Sequence, residues 1–490
     1  MSLGLNDNQI SDISGLSGLT SLTHLELPEN QVSDLSGLSG LTNLTSLQLW
    51  SNEISDISVL SGLTNLTELN LQSNQISDIS VLSGLTGLTD LRLYGNPITD
   101  ISALSELTKL TSLYLRNPIS DFSPLSGLTN LKFLWLEISD LSALSGLTSL
   151  EGLYLLSYNQ ISDISPLSGL TNLIELYLEG NEISDLSALS GLTNLTNLRL
   201  DGNQISDISP LSGLTSLTWL GLGANQITSI SALSGLTGLT DLRLYDNQIS
   251  DISPLSGLTN LKFLWLDGMG LSDISPLSGL TSLEEVVLSS NQISDLSALS
   301  GLTNLTHLDL FGNQIIDITA LSGLTSLEDL VLWNNPLNLE AYCTYLPLIE
   351  DNNPGIYLAY APNPYPPGSC PDSDDDGVLD DIDNCPETSN QHQLDTYPPQ
   401  GNGIGDACDC EADFNCNGRV DATDVMSFIT DFVRSNFLNP CTNADPCNGD
   451  FNCDGNVDTD DITMFLQDFG RGQYSNSCPV CEVGNWCVYP

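Results

Sequence analysis

Three stretches near the C-terminus carry oxygen-bearing side chains at a spacing that suits a metal ion. In DSDDDGVLDDIDNCP, starting at residue 372, Asp372, Asp374, Asp376, Asp380 and Asp383 stand at loop positions 1, 3, 5, 9 and 12, with Gly377 at position 6. Alternating carboxylates wrap one hard cation, and a glycine at position 6 permits the sharp turn that closes such a loop. The template recurs in two segments 37 residues apart, ADFNCNGRVDATD and GDFNCDGNVDTDD. The first offers Asp413, Asn415, Asn417, the Arg419 carbonyl, Asp421 and Asp424. The second offers Asp450, Asn452, Asp454, the Asn456 carbonyl, Asp458 and Asp461. All three loops are expected to take Ca2+ at extracellular levels. The second of the pair is the stronger, with four carboxylates against three.

A second set of residues is suited to recognition. Trp50, Tyr94, Tyr114, Phe133, Trp135, Tyr154, Tyr177, Trp219, Tyr245, Phe263, Trp265, Phe311 and Trp333 all flank recurring LxL segments, as do Arg92, Arg116, Arg199 and Arg243. Leucine supplies the core of those segments, so the rings are not needed there. Exposed aromatic residues interspersed with arginine have the composition of binding hot spots. Stacking of rings between adjacent strands would produce the same pattern without a ligand.

Catalytic chemistry is poorly provided for. There are three histidines: His24, His307 and, in a loop, His392. No nucleophile elbow, phosphate loop or HExxH motif occurs. Paired carboxylates abound through composition alone, so they do not single out a glycosidase. The chain reads as a binding protein and not an enzyme.

The aromatic positions are set by a repeat. The unit NQISDISPLSGLTNLTxLxL recurs from Asn8 to Asn335, with an aliphatic residue at 10, 32, 54, 76, 98, 119, 138, 161 and onward to 337. The step is 22 residues except for 21, 19 and 23 between 98 and 161. One such unit cannot bury its leucines, whereas stacked units share a continuous core. The LxL segment gives a short strand with alternate residues inward. The recurring Asn is placed to bond the backbone of neighbouring turns. About 15 strands stacked at ~4.8 Å would form a parallel concave sheet on the order of 70 Å long.

The LxxLxLxxN core, for example Leu22, Leu25, Leu27 and Asn30, resembles the leucine-rich repeat, specifically the 22-residue class of the bacterial internalin surface proteins. That resemblance covers about two thirds of the chain. It implies a β-rich solenoid with short 3-10 turns on its convex side and a ligand-gripping concave face.

One column of the repeat is acidic: Asp12, Asp34, Asp56, Asp78, Asp100, Asp121, Asp140, Asp163, Asp185, Asp207, Asp251, Asp273, Asp295 and Asp317, interrupted by Ser229. A cation track is one reading. The favoured one is that each Asp caps the short helical turn that follows, a role Ser shares. Two units are irregular, since LWLEISD lacks the three residues that carry the turn Asn and Leu155–Ile161 has one extra. This predicts a local distortion of the concave face near Leu136–Tyr158. The chain also begins in mid-repeat, with no signal peptide ahead of Leu5 and Asn8, which suggests an N-terminally truncated sequence.

The repeat ends after Leu339. AYCTYLPLIEDNN reads as a helical cap, and APNPYPPGS as an extended linker. The boundaries are therefore 1–339 for the solenoid, 340–369 for cap and linker, 370–409 for the first calcium segment and 410–490 for the tandem. The 370–409 segment, with GNGIGDACD, resembles a thrombospondin type 3 repeat, and that resemblance implies a Cys385–Cys408 disulfide. Where that family has further Asp ligands, this chain has Pro398, Pro399, Gln400 and Asn402. In the tandem, Asp replaces the EF-hand Glu at position 12, and an amphipathic helix is expected after each loop (Val425, Phe428, Ile429, Phe432 and Ile462, Phe465, Leu466, Phe469). The pair resembles a dockerin. A cohesin-like partner would be implied, but the contact positions Ala422–Thr423 and Thr459–Asp460 differ between the halves.

The twelve cysteines suit an oxidising compartment. Equal spacings of 25 point to Cys416–Cys441 and Cys453–Cys478, while Cys343 either pairs with Cys370 or stays free. The formal charge of −52, from 62 acidic and 10 basic residues, excludes nucleic acid, because phosphate contacts need clustered Lys and Arg. No apolar run is long enough for membrane insertion. The expected protein is extracellular, binding a protein or glycan on its concave face above a calcium-stabilised stalk. Docking to a cohesin-like partner in polysaccharide degradation is the alternative.

Overall fold

A computed structural model describes residues 1–155 and 159–362. The calcium loops, the two helices expected after them and every cysteine except Cys343 lie outside the described residues.

Residues 1–337 and 349–361 form one compact unit. It is built on a single 17-stranded sheet, from β1 (Ser2–Gly4) to β17 (Tyr357–Ala359) in chain order. Every neighbouring pair is parallel. The register places each residue beside its repeat equivalent, as in Leu198↔Leu220 and Leu220↔Leu242. Between the two edge strands the central residue of each strand, a leucine everywhere but at Val286, points into the core, where Leu198, Leu220, Leu242 and Leu264 are fully buried. Burying a leucine is worth about 1.5–3 kcal/mol, and adjacent repeats share that gain. On the opposite side most repeats place a 3-10 turn with a buried leucine, such as Ser209–Gly213 with Leu211; the first turn, Ser14–Leu16, buries none.

Two polar columns tie the repeats together. Asn225 shows the inner one. Its Nδ2 donates to the carbonyls of Leu200, Leu222 and Gly223, each at 3.0 Å, and its Oδ1 accepts from Ile205 N at 3.0 Å. A buried side chain thus satisfies backbone groups that the chain reversal leaves without partners. The column breaks at Met269, which stands where Asn is expected, and Asn291 there accepts from both Met269 N and Leu271 N. It is also imperfect at Asn117, whose Oδ1 has no partner.

The outer column is the acidic one, and its aspartates cap turns as expected, whereas Ser229, expected to share that role, makes only a side-chain contact with Ser231. In each of the fourteen aspartates a side-chain oxygen accepts from the backbone N–H two residues on, for example Asp12 from Ser14 at 2.8 Å and Asp317 from Thr319 at 2.7 Å. Asp140 is the formal cap of the turn Leu141–Leu144. No group of acidic residues arranged to hold a metal occurs among the described residues.

The irregular units do not disturb the strands. β6 (Ser112–Leu115) pairs over four residues with β7 (Phe133–Leu136), and β7 continues in register into β8 (Gly152–Tyr154) and β9 (Glu175–Tyr177). The distortion expected of these strand positions is absent because the deletion removes turn residues, leaving the hydrogen-bonded strand whole. Residues 156–158 lie outside the described residues.

The sheet also runs past the boundary at Leu339 that the repeat suggests. A π-helical turn, Ala341–Tyr345, leads into α1 (Leu346–Asn352), and the chain then adds β17 beside β16 (Asp329–Val331). Asn353 takes over the ladder role, with Oδ1 accepting from Leu327 N at 2.8 Å and Nδ2 donating to Leu324 O at 2.8 Å. Within the π-helical turn Cys343 is buried and disulfide-bonded.

Candidate ligand-binding face

Each strand turns two residues outward on either side of its central leucine, and a third outward position follows the next leucine. This creates three columns across the sheet face. The second column carries Arg92 on β5 (Asp90–Arg92), Tyr114 on β6, Trp135 on β7, Tyr154 on β8 and Tyr177 on β9. It continues with Arg199 on β10 (Asn197–Arg199), Gly221 on β11 (Trp219–Gly221), Arg243 on β12 (Asp241–Arg243) and Trp265 on β13 (Phe263–Trp265).

Strand spacing near 4.8 Å brings flat side chains in one column to stacking distance. The Arg92 guanidinium lies 4.6 Å from the Tyr114 centroid. Tyr114 stacks on Trp135 at 4.3 Å and 13°, and Trp135 on Tyr154 at 3.7 Å and 6°. Tyr177 meets Tyr154 edge-on at 4.9 Å. Arg199 then lies between Tyr177 at 4.5 Å and Trp219 at 4.6 Å, and Arg243 between Trp219 at 5.0 Å and Trp265 at 4.1 Å. The result is one continuous stack from β5 to β13.

Trp219 belongs to the first column by sequence and enters the stack because Gly221 has no side chain. A Cβ there would lie 2.8 Å from the indole and would also meet Asp201. Gly223 likewise leaves room for the ring of Tyr245, which approaches Trp265 at 6.4 Å.

Polar partners fix the stack at its rims. Tyr154 Oη donates to Glu175 at 2.6 Å and Trp265 Nε1 to Glu285 at 2.8 Å. Arg92 pairs with Asp90 at 3.1 Å and Arg243 with Asp241 at 3.4 Å. Burial pushes the Asp241 carboxyl above its ordinary range, against the pull of Arg243. Burial likewise raises Asp201, which accepts from Gly223 N at 2.9 Å, and Glu179, both despite the charge of Arg199. Farther along, burial raises Asp267 and Asp309, and neighbouring acids add to it: Asp246 and Asp309 at the first, Asp329 at the second. The phenols of Tyr114, Tyr154 and Tyr245 are raised, chiefly by burial.

The structure therefore brings together most of the candidates named from sequence: Tyr114, Trp135, Tyr154, Tyr177, Trp219, Tyr245, Trp265, Arg92, Arg199 and Arg243. Trp50, Tyr94 and Trp333 stand apart in the third column, with Trp333 and its neighbour Phe311 exposed at 45 and 43%. The residues that sequence reasoning missed are Gly221, Gly223 and the carboxylates Asp90, Asp241, Glu175 and Glu285. The recurrent Asp-Leu-Arg of β5 and β12 was the available signal for two of them.

A model described as leucine rich repeats (2 copies) matches in overlapping segments over residues 2–145 and again over 171–213, 215–257, 259–301 and 303–342. Among solved structures, an internalin, InlF of Listeria monocytogenes, is 39% identical over 64% of this chain and 88% of that one, with a TM-score of 0.54. A leucine-rich repeat protein of Leptospira interrogans is 26% identical over 73% of this chain and 94% of that one, at 0.66. The functional domain of InlJ from Listeria monocytogenes, which includes a cysteine ladder, is 26% identical over 72 and 71%, at 0.54. No curated protein matches significantly.

Proposed function

The chain belongs to the leucine-rich repeat family, and from that premise we propose that it is a bacterial recognition protein of the cell surface or the extracellular medium, with the stacked face of β5–β13 as its ligand-binding surface. Proteins of this family generally mediate binding and are typically non-enzymatic. The observation that carries the reading is the stack itself. The leucines already fill the core, so nine strands of in-register aromatic and guanidinium side chains on the solvent side are not required to close it. Half-buried rings whose rotamers are locked by their neighbours cost little entropy to immobilise when a partner docks.

Between a protein and a glycan, the geometry favours a protein. A sugar ring docks flat on an aromatic face, but the faces of Tyr114, Trp135 and Trp219 are covered on both sides by neighbours. The stack therefore offers ring edges, which carry the positive end of the quadrupole, together with guanidinium edges. Both suit the carbonyl and carboxylate oxygens of a polypeptide. No helix among the described residues is long and apolar enough to cross a membrane.

The sequence supports a calcium-stabilised stalk or anchor in residues 370–490, with Ca2+ bound by the three loops. Docking of the tandem to a cohesin-like partner is the second reading, motivated by the Asp at position 12 in both loops. Binding of the full chain to arrayed surface proteins and glycans, compared with Trp219→Ala and Trp265→Ala, tests the first reading. Both substitutions should abolish protein capture without unfolding the sheet, and unimpaired binding would refute the assignment. Pull-down of cohesin-like proteins with and without chelator decides the second.

A further inference from the structure

The three arginines of the stack sit on strands that read almost alike: Asp90-Leu91-Arg92, Asn197-Leu198-Arg199 and Asp241-Leu242-Arg243. On β5 and β12 the aspartate accepts from the arginine Nε, at 3.1 and 3.4 Å. On β10 the equivalent residue is Asn197, whose Oδ1 instead accepts from Thr196 Oγ1 at 2.8 Å. Arg199 Nε, the atom that the aspartate engages on the sister strands, is buried and has no hydrogen-bond partner.

No hydrogen-bond acceptor makes up the loss, although the charges of Glu179, Asp201 and Asp241 act on Arg199 through space. Glu179 lies close enough for the arginine charge to act on it, yet its Oε2 is also without a partner. Asp201 is engaged by Gly223 N–H at 2.9 Å. Arg92, Arg116 and Arg243 each have an ion-pair partner within 3.4 Å, and Arg199 has none among the described residues. In a domain with 35 acidic side chains against 7 basic ones, an arginine left without a direct carboxylate contact is a local exception.

This rests on the reading of the sheet face as a recognition surface. We propose that Arg199 is its specificity-determining residue and that its half-buried guanidinium, whose Nε is internal and has no aspartate on β10 to hold it, receives an Asp or Glu carboxylate of a protein ligand on its outward edge. The repeat supplies the template, since on β5 and β12 the fold already satisfies an arginine of this column with a carboxylate oxygen. Tyr177 and Trp219, at 4.5 and 4.6 Å on either side, hold the guanidinium plane before the ligand arrives. A planar, pre-oriented fork loses little freedom on binding a carboxylate. The same covered ring faces leave a uronic acid without an aromatic platform, so the carboxylate belongs to a polypeptide. The acidic surroundings add a filter: the ligand surface around its carboxylate must be neutral or basic, since like charges brought together repel.

Arginine-selective 15N labelling of the full chain reads the proposal directly, because the sequence has seven arginines and hence seven side-chain Nε signals. The probes are the blocked tripeptide Gly-Glu-Gly, its Gly-Gln-Gly counterpart, and galacturonic acid. The glutamate peptide should shift the Arg199 Nε signal saturably, and the glutamine peptide at least about ten-fold more weakly, as expected for loss of a charge-assisted hydrogen bond. Asn197→Asp restores the internal partner and should weaken the Arg199 response by a similar factor, leaving the ring stack in place. Asp90→Asn frees Arg92 and should make its Nε signal respond in turn, which keeps the test decisive should the first variant fold poorly. Equal response to both peptides, a response to galacturonic acid alone, an unchanged response in Asn197→Asp or a silent Arg199 in the unaltered chain each overturns the proposal. A silent Arg199 in a protein whose ligand capture still depends on Trp219 and Trp265 sinks this inference alone; loss of that dependence sinks the wider reading.

Discussion

Trp219 occupies the space that Gly221, two residues on in the same strand, leaves by having no side chain. A Cβ on the glycine would lie 2.8 Å from both Cη2 and Cζ3 of the indole. In this way a residue from one outward column bridges Arg199 and Arg243 in another. Gly221→Ala should therefore expel the ring and split the stack in two. We expect a weaker near-ultraviolet circular dichroism signal and a loss of about 1–3 kcal/mol, the range for overpacking. Gly235→Ala, at a site with nothing within 4 Å, is the control and should be nearly neutral in urea unfolding.

The inner ladder should matter more than any surface ion pair. Asn225→Ala removes three donated bonds and one accepted bond from buried backbone groups. At roughly 1 kcal/mol per net bond the loss is about 2–4 kcal/mol. By contrast Lys262→Met, which breaks the half-exposed pair with Glu284, should cost less than about 1 kcal/mol. Urea midpoints of the two variants, compared at equal slope, check the ranking.

Acid should act on the fold with two opposite signs. The capping carboxylates Asp12, Asp56, Asp78, Asp121, Asp163, Asp207, Asp273 and Asp295 are held below their ordinary 3.8, first by the backbone N–H of the following Ser. A depressed folded value means stability that is present above the unfolded value and lost as pH falls through the folded one. Glu179, Asp201, Asp241, Asp267 and Asp309 are raised by burial. Keeping them ionised opposes folding, and the penalty is relieved as pH falls through their raised values. The melting temperature followed by tryptophan emission should rise on mild acidification from neutral pH and then drop below about 3.8. A monotonic fall from pH 7 would contradict this division.

Calcium should act on the tail and leave the repeats alone. Titration of the chelated full chain to extracellular Ca2+ levels should show stronger uptake at the loop of Asp450, Asn452, Asp454, Asp458 and Asp461 than at its tandem partner, and Asp454→Asn should weaken that step. The urea transition of the repeat unit should be the same with and without chelator, because no acidic group among its described residues is arranged to hold a metal.

Ser229 offers a test of the outer column. It stands where the other repeats have Asp, and its Oγ lies 3.4 Å from Ser231 Oγ without reaching the backbone N–H. Ser229→Asp should supply the missing cap and raise the melting temperature at pH 7 but not at pH 3.

The sequence by itself determined the solenoid, its strands and both polar columns. A 22-residue period with leucine at fixed places leaves one way to bury those leucines, and the Asp and Asn positions follow from the turns that period demands. It also identified the rings and arginines of the face, since they occupy positions that the core does not constrain. What the period could not convey is how neighbours in three dimensions share space. Trp219 joins the stack only because Gly221 vacates it, and Trp50, Tyr94 and Trp333 stay outside despite equivalent composition. β17 is not legible in the sequence because Tyr357–Ala359 lacks the repeat motif and is recruited by the free edge of β16 and by Asn353. Arg199 differs from its sister arginines by one atom type on a side chain two residues away, a difference visible only once the partners of Arg92 and Arg243 are seen. Periodicity fixes backbone positions, whereas side-chain contacts between repeats depend on which volumes and charges meet, and those are settled by packing.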